Sequence, residues 1–496
     1  MQARGDVVAI IDVGSNSGRV VVFERDSAGY LRTLAGSRAS LRLVHDVDAR
    51  GQLTDATMAR TMEALRDFKA IAGGAGARRI VAVATAAMRD AANGALFAER
   101  LRRELDVRVE IITGAAEARY GFAGALRGLS VGSGLLFDVG GGSMEVTRFE
   151  RRRRRSDVSL PLGALRVSEQ FLESDPPTRA QVRRLRDHVR HQLAQAGVER
   201  LARGDRLVGT GGTLRNLAKI DRQARRYPID SLHGYELPYD RLTEIVELLA
   251  TTKEKRRDKL PGLSAERADS IAGGAVVIQT LAEFVRAPHI LVSGQGLREG
   301  LALRLLAIPV GSPATVKEAA LSSLVARFDG WNPESAARRQ GLAATLYRSI
   351  EQRGRPILAG AVEQAARVLD IGRSLDVVNR HKHVADILLT TELSGFTHGE
   401  LALLSAIVRR AGDRNADIMS LALENDVTPK LVERAAIILA LADEIEARCP
   451  RGQPIAVRSE IGRDVRLSIP LLPSWLARDL DKRFERAFAR ALIIRH

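Results

Sequence analysis

The sequence predicts an α/β protein of two similar lobes followed by a mainly helical third. Three observations carry this. Val7–Val13 and Arg19–Phe23 are apolar strands on either side of Asp12 and the turn Gly14-Ser15-Asn16-Ser17-Gly18. The arrangement recurs at Leu135–Phe137, Asp138, Gly140-Gly141-Gly142-Ser143 and Met144–Val146. Beyond Pro313, apolar residues fall at helical spacing almost to the C-terminus.

Each element follows from its local pattern. In the first lobe, residues 1–127, Met58, Met62, Leu65 and Ile71 give one face of a helix over Asp55–Ile71. Arg79–Ala84 reads as a buried strand, followed by a helix through Leu101. Val107–Ile112 is a further strand, and Thr113-Gly114 opens a helix over Ala115–Leu126. In the second lobe, residues 128–307, the glycine hairpin leads to five arginines, Arg151–Arg155, predicted to cap a solvent-exposed turn before strand character returns at Asp157–Leu162. The alternative is that this run attracts a polyanion. Gln181–Ala194 is an amphipathic helix. Gly209–Thr213 is a Gly-rich turn opening a helix, Leu242–Leu249 and Ser270–Val285 are helical, and Ser293–Gly300 is a further Gly-rich turn after a strand. Pro309, Gly311, Ser312 and Pro313 mark a linker. The third domain, 308–496, carries helices at Val316–Phe328, Ala336–Leu346, Ile357–Ile371, Val384–Leu389, Glu400–Arg410 and Pro429–Glu446, then two short strands within Ile455–Pro470.

Composition narrows the function. Of 496 residues, 45% are hydrophobic and 27% charged, enough apolar material for several cores. The single cysteine, Cys449, excludes an internal disulfide and a cysteine-rich metal site. The longest uncharged run, Ser270–Ala282, is too short to span a bilayer. With no signal peptide in view, the expectation is a cytoplasmic protein without a membrane partner. The net charge is +16, from 76 Lys and Arg against 60 Asp and Glu. Residues 306–496 hold 27 basic and 23 acidic residues, so most of the excess accompanies the Gly-rich turns. Such a surface draws polyanions. Aromatic residues are only 4%, which leaves little for stacking nucleic-acid bases.

The turns themselves suit phosphate. Glycine lets backbone N–H groups approach an anion with no Cβ in the way, and Ser143 adds a hydroxyl donor. Asp138 and Glu145 can hold a hard cation beside phosphate oxygens. Two Asp-bearing strand–turn–strand units, followed by further Gly-rich turns, resemble the superfamily of acetate kinase, sugar kinases, Hsp70 and actin. The resemblance implies two actin-like (ribonuclease H-like) lobes clamping a phosphorylated ligand.

Eight blocks narrow the likeness: I-I-D-V-G-S-N-S, A-T-A-A-M-R-D-A, I-T-G-A-A-E-A-R, F-D-V-G-G-G-S-M-E, S-L-P-L-G-A-L-R, G-T-G-G-T-L-R-N-L-A, P-G-L-S-A-E-R-A-D and V-S-G-Q-G-L-R-E-G. In this order they resemble the exopolyphosphatase/guanosine pentaphosphate phosphatase (Ppx/GppA) family, strongly from Val7 to about Leu303. The resemblance implies a Mg²⁺- or Mn²⁺-assisted hydrolase of terminal phosphoanhydrides. Inorganic polyphosphate is the first substrate; the nucleotide pppGpp, or a non-catalytic polyphosphate-binding regulator, is the alternative. It implies Glu117 as general base, in a helix first turn where an acid is in any case favoured by ~0.3–1 kcal/mol. It implies Gly14, Ser15, Asn16, Ser17, Arg89, Gly140, Gly141, Gly142, Ser143, Gly211 and Thr213 on phosphate, and Asp138, Glu145 and Asp12 on the metal. Ala116 stands where members commonly have a second glutamate. The C-terminal domain resembles HD-type phosphohydrolases but has no His-Asp dipeptide after residue 310. Arg380, His381, Lys382 and His383, with Arg298, are expected along a polyphosphate channel, and a homodimer is expected.

Overall fold

The protein is described by a computed structural model covering residues 6–424 and 426–495. The chain begins with an antiparallel meander, β1 (Val7–Val13), β2 (Ser17–Arg25) and β3 (Leu31–Ser40). Helices α1 (Leu43–Arg50) and α2 (Asp55–Gly74) follow, then β4 (Arg79–Ala84), α3 (Ala86–Asp90), α4 (Gly94–Leu105), β5 (Val109–Ile111) and α5 (Gly114–Leu126). The sheet order is β3-β2-β1-β4-β5, with β4 parallel to β1 and to β5. Its core joins Ile11, Val20, Leu41, Leu65 and Phe68, all fully or almost fully buried.

The pattern then repeats. β6 (Gly134–Val139), β7 (Met144–Glu150) and β8 (Arg153–Leu160) form a second antiparallel meander. Next come α6 (Ala164–Phe171), α7 (Arg179–Gln195), β9 (Arg206–Thr210), α8 (Gly212–Ala224), β10 (Tyr235–Pro238), α9 (Tyr239–Thr251) and α10 (Glu254–Arg257). α11 (Ile271–Phe284), β11 (His289–Val292) and α12 (Leu297–Leu305) complete the lobe. The sheet order is β10-β11-β9-β6-β7-β8, with β9 parallel to β6 and β11 parallel to β9. Leaving aside edge strand β10, this is the order and strand sense of the first sheet. Asp12 and Asp138 therefore occupy the same place: each lies near the end of the first strand, two residues before the glycine that opens the turn.

Two departures from the sequence reading stand out in these lobes. β3 carries Ala, Gly, Ser and Arg in its middle and has little strand character of its own; pairing with β2 along its length defines it. The arginine run is the other. Only Arg151 and Arg152 form the turn, both with positive φ (47° and 59°), and β8 has begun by Arg153. The Arg152 guanidinium donates to the carbonyls of Leu126 (2.8 Å), Leu129 (2.6 Å) and Val131 (3.1 Å), closing the C-terminal end of α5. The expected solvated cap is thus partly structural.

The described residues form two compact units, 6–227 with 232–319, and 228–231 with 320–424 and 426–495. α13 (Pro313–Val325) crosses the boundary. The second unit packs α14 (Pro333–Ile350), α15 (Pro356–Val368), α16 (Arg380–Thr390), α17 (His398–Gly412) and α18 (Pro429–Arg448). The short strands β12 (Arg458–Ile461) and β13 (Val465–Ser468) gain a third, β14 (Leu492–Arg495), after helix α19 (Arg478–Phe488). The sequence reading had neither α19 nor β14.

At the centre of this unit Arg339 is wholly buried, donating to Asp443 (3.1 Å), Asp370 (2.6 Å) and the carbonyl of Ala366 (2.8 Å). Arg380 donates to both of the same aspartates. Its expected place in a channel is corrected: the guanidinium braces α16 against buried acids. His381 packs against Gly412, and burial, reinforced by Arg380, pushes its pKa down to about 4, so it carries no charge for phosphate at neutral pH. Lys382 is exposed, 3.4 Å from Asp386, and His383 stands 4.0 Å from Asp376. Removing one partner of a buried ion pair leaves charge uncompensated at ~3–5 kcal/mol. Arg339→Ala is therefore expected to destabilise the helical unit by about that amount in urea unfolding, whereas Lys382→Ala changes stability by less than ~0.5 kcal/mol.

Candidate active site

The two hairpin turns meet over one cleft. The β1–β2 turn is held by Gly14 N–H to the Ser17 carbonyl (3.2 Å). The Asn16 carbonyl accepts from Leu41 and Arg42, and the Ser15 hydroxyl accepts from the Ala87 amide (3.2 Å). The β6–β7 turn is held by Gly140 N–H to the Ser143 carbonyl (2.9 Å), and the first amides of α6 donate to it, Ala164 to the Gly140 carbonyl and Leu165 and Arg166 to that of Gly141. The turns touch: a Cβ on Gly141 would lie 3.2–3.3 Å from Asn16 and Ser15. On the floor, Gly211 has φ +95°, and a Cβ there would sit 2.3 Å from Asp138 Oδ1. Glycine is required at that position both for the backbone and for the carboxylate beside it.

The cleft has a volume of about 120 Å³. Its lining includes Asp12, Gly14, Ser15, Asn16, Ser17, Glu117, Asp138, Gly140, Gly141, Ser143, Glu145, Gly211 and Arg298. The structure thus gathers most of the residues named from sequence. Three of the residues expected on phosphate do not line the cleft. Thr213 is fully buried in α8, its hydroxyl 3.5 Å from the Val139 carbonyl, and Gly142 packs on Ser15 and Val44. Arg89 is also off the lining. It donates to the Ile112 carbonyl (2.9 Å) and stands 3.5 Å from Glu117 Oε2.

Electrostatics distinguish this cleft from an ordinary crevice. Glu117 sits in the first turn of α5, whose N-cap Thr113 accepts from the Ala116 amide. Its Oε2 is buried without a hydrogen-bond partner. Asp138 and Glu145 are directly opposed in the β6–β7 register, a like-charged pair that a sheet tolerates poorly. Ser143 (2.7 Å) and Ser159 (3.1 Å) both donate to Glu145 Oε1. Burial, with Glu145 and Asp138 nearby, lifts the Glu117 pKa well above the carboxylate range. Burial and Asp138 push Glu145 up to about 7. Burial also raises Asp138, and it raises Asp12 despite an ion pair with Arg298 (3.1 Å).

Facing these acids are arginines that sequence reasoning had not singled out. Arg19, Arg215 and Arg267 line the cleft beside Arg298. Burial, then Arg215 and Arg298, holds Arg19 down at about 9. Burial, then Arg215 and Arg38, holds Arg267 at about 10. Arg215 is lowered likewise. Guanidiniums crowded and desolvated in this way gain from an incoming anion. A signal for them existed: Arg215 and Arg267 lie inside motifs already quoted, and Arg19 pairs with Asp12 in the β1–β2 register.

Comparison with known proteins agrees with this geometry. The model of the Ppx/GppA phosphatase family matches residues 21–308, and that of Ppx/GppA phosphatase, domain III, matches residues 316–455. The chain belongs to the Ppx/GppA phosphatase family. Exopolyphosphatase 1 of Mycobacterium leprae is 31% identical over 307 residues, covering 60% of this chain and 89% of that protein. Exopolyphosphatase 2 of Mycobacterium tuberculosis is 33% identical over 313 residues, covering 60% and 98%. The crystal structure of the Aquifex aeolicus Ppx/GppA family member superposes with a TM-score of 0.54 at 29% identity, over 61% of this chain and 97% of that one. The α/β fold with actin-like lobes is thereby that of Ppx/GppA proteins, with a helical domain III after it.

Among the described residues, no three His, Cys, Asp or Glu side chains converge as a metal cage, and no helix is long and apolar enough to cross a membrane. The acid cluster has a consequence for stability. A carboxyl whose folded pKa is raised holds its proton longer in the folded than in the unfolded state, so stability falls as pH rises from the unfolded value toward the folded one. For Glu145 the window runs from about pH 4.5 to about 7. Glu145→Gln is expected to raise the thermal midpoint at pH 8 and to leave it unchanged near pH 4, read by differential scanning fluorimetry.

Proposed function

We propose that this protein is an exopolyphosphatase, hydrolysing the terminal phosphoanhydride of inorganic polyphosphate and releasing orthophosphate. The observation that carries this is the placement of Glu117: a buried carboxylate whose Oε2 has an ion-pair contact with Arg89 at 3.5 Å but no hydrogen bond, in a cleft walled by glycine turns and four arginines. The names of the two mycobacterial relatives support the same substrate.

In this reading the lobes 1–127 and 128–307 share the work. The turns Gly14–Ser17 and Gly140–Ser143 hold the terminal phosphate with backbone and hydroxyl donors. Arg19, Arg215, Arg267 and Arg298 receive the phosphates behind it. Arg89 steadies Glu117 from 3.5 Å. Glu117 takes a proton from water as the water oxygen bonds to phosphorus and the anhydride bond breaks in line. The shortened chain leaves with its new charge facing guanidinium groups.

The donor set fits a hard divalent cation, Mg²⁺ or Mn²⁺. Asp138 and Glu145 are adjacent oxygen ligands whose ionised forms are disfavoured until a positive charge arrives, and Asp12 stands in the same cleft. Two carboxylates leave room for phosphate oxygens and water in an octahedral shell. When bound, the cation withdraws charge from the phosphoryl oxygens.

Orthophosphate release from purified protein, with medium-chain polyphosphate and pppGpp in parallel, tests the reading. Polyphosphate turnover is expected. Glu117→Gln should lower kcat by about 10²–10⁴-fold while polyphosphate binding persists. No orthophosphate from the unsubstituted protein would make it a binder, and an unchanged rate in Glu117→Gln would remove Glu117 as the base.

A further inference from the structure

Glu117 faces a second space that the hydrolase reading leaves unused. Sharing Glu117, Asp138, Glu145, Thr210 and Leu297 with the cleft is a chamber of about 20 Å³, lined also by Thr147, with Ala118, Gly121, Phe122, Leu136 and Leu297 as its apolar walls. A space of this size holds about one water. Thr147 and Thr210 are each 2% exposed, and both hydroxyl hydrogens are already committed. Thr147 donates to Asp157 Oδ1 (2.9 Å), whose other oxygen accepts from Arg154, and Thr210 donates to the Gln295 carbonyl (2.9 Å). Each threonine therefore offers the chamber only oxygen lone pairs. Glu117 Oε2, buried and without a hydrogen-bond partner, is the group in most need of a donor.

We propose that this chamber is the binding site of the attacking water. The inference rests on the hydrolase reading and deepens it. With Glu117 Oε2 lacking a donor and the threonine hydrogens committed elsewhere, a bound water donates both of its hydrogens, one to Glu117 and one to a threonine oxygen. Its lone pairs then point away from those walls, toward the phosphate in the cleft. Reaction moves the first hydrogen to Glu117, forms the oxygen–phosphorus bond and breaks the anhydride bond. The second hydrogen leaves with the orthophosphate. The apolar walls favour one neutral water over a hydrated cation.

Gly121 gives a direct test. It lies in α5 one turn after Glu117, lines the chamber, and a Cβ built on it meets nothing within 4 Å. Gly121→Ala suits a helix better than glycine and places a methyl group where the water would lie. The expected result is a kcat for polyphosphate at least 10-fold lower, KM within 2-fold, and a thermal midpoint no lower than that of the original protein. Thr147→Val, which keeps shape and loses the oxygen, should show the same split, and Thr147→Ser should recover most of the loss. Unchanged kcat in both Gly121→Ala and Thr147→Val overturns the proposal, as does a Mn²⁺ anomalous peak inside the chamber in crystals. The unsubstituted protein, assayed alongside, separates the two levels: if it releases no orthophosphate, the hydrolase reading itself has failed.

Discussion

Asp12, Glu117, Asp138 and Glu145 are buried in one cleft, and none can ionise there without cost. Burial removes water from each carboxylate, and each negative charge opposes the next. Arg298 reaches Asp12 and Arg89 reaches Glu117, while Asp138 and Glu145 face each other across a strand pair, with Ser143 and Ser159 donating to Glu145 and Arg215 and Arg298 offsetting part of the cost at Asp138. Across the same space, Arg19, Arg215 and Arg267 are desolvated and crowd one another. The acids favour a cation and the arginines an anion. The proposed ligand, a polyphosphate end carrying a divalent cation, would supply both.

The fold delivers these groups by repeating one topology. Each sheet is a three-strand meander extended by parallel strands, so each places an aspartate and a glycine turn at the same strand end. Close approach of the two turns then depends on missing side chains. Gly163 packs its α-carbon against the backbone of Gly141 and Gly142, where any Cβ would be 2.3–2.4 Å from their atoms, and Gly212 makes room for the Arg267 guanidinium. Helix α5 brings Glu117 in from the first sheet's side, with Arg152 of the second meander closing its far end.

The fold class and most of the cleft were legible because their signals are local. Asp-Val-Gly-Ser and Asp-Val-Gly-Gly each sit at the end of an apolar run, and no tertiary information is needed to see them. The misses have the opposite character. β3 exists because β2 pairs with it. A two-residue turn with positive φ normally announces itself by Asn-Gly, and Arg151-Arg152 gives no such sign; the three carbonyl bonds of Arg152 accompany it. Thr213 shares a motif with Arg215, yet helix geometry turns one into the core and the other into the cleft. Arg380 looked like a phosphate ligand because its buried acids, Asp370 and Asp443, are 10 and 63 residues away in sequence.

The central claim is that Glu117 and the end of a polyphosphate chain meet in this cleft. A crystal structure with a non-hydrolysable imido analogue of tripolyphosphate and a divalent cation tests it most directly. The account predicts the terminal phosphorus against the Gly14–Ser17 and Gly140–Ser143 turns, about 3–3.5 Å from a water oxygen that contacts Glu117. A terminal phosphate bound elsewhere, with Glu117 separated from it by protein, would contradict the account.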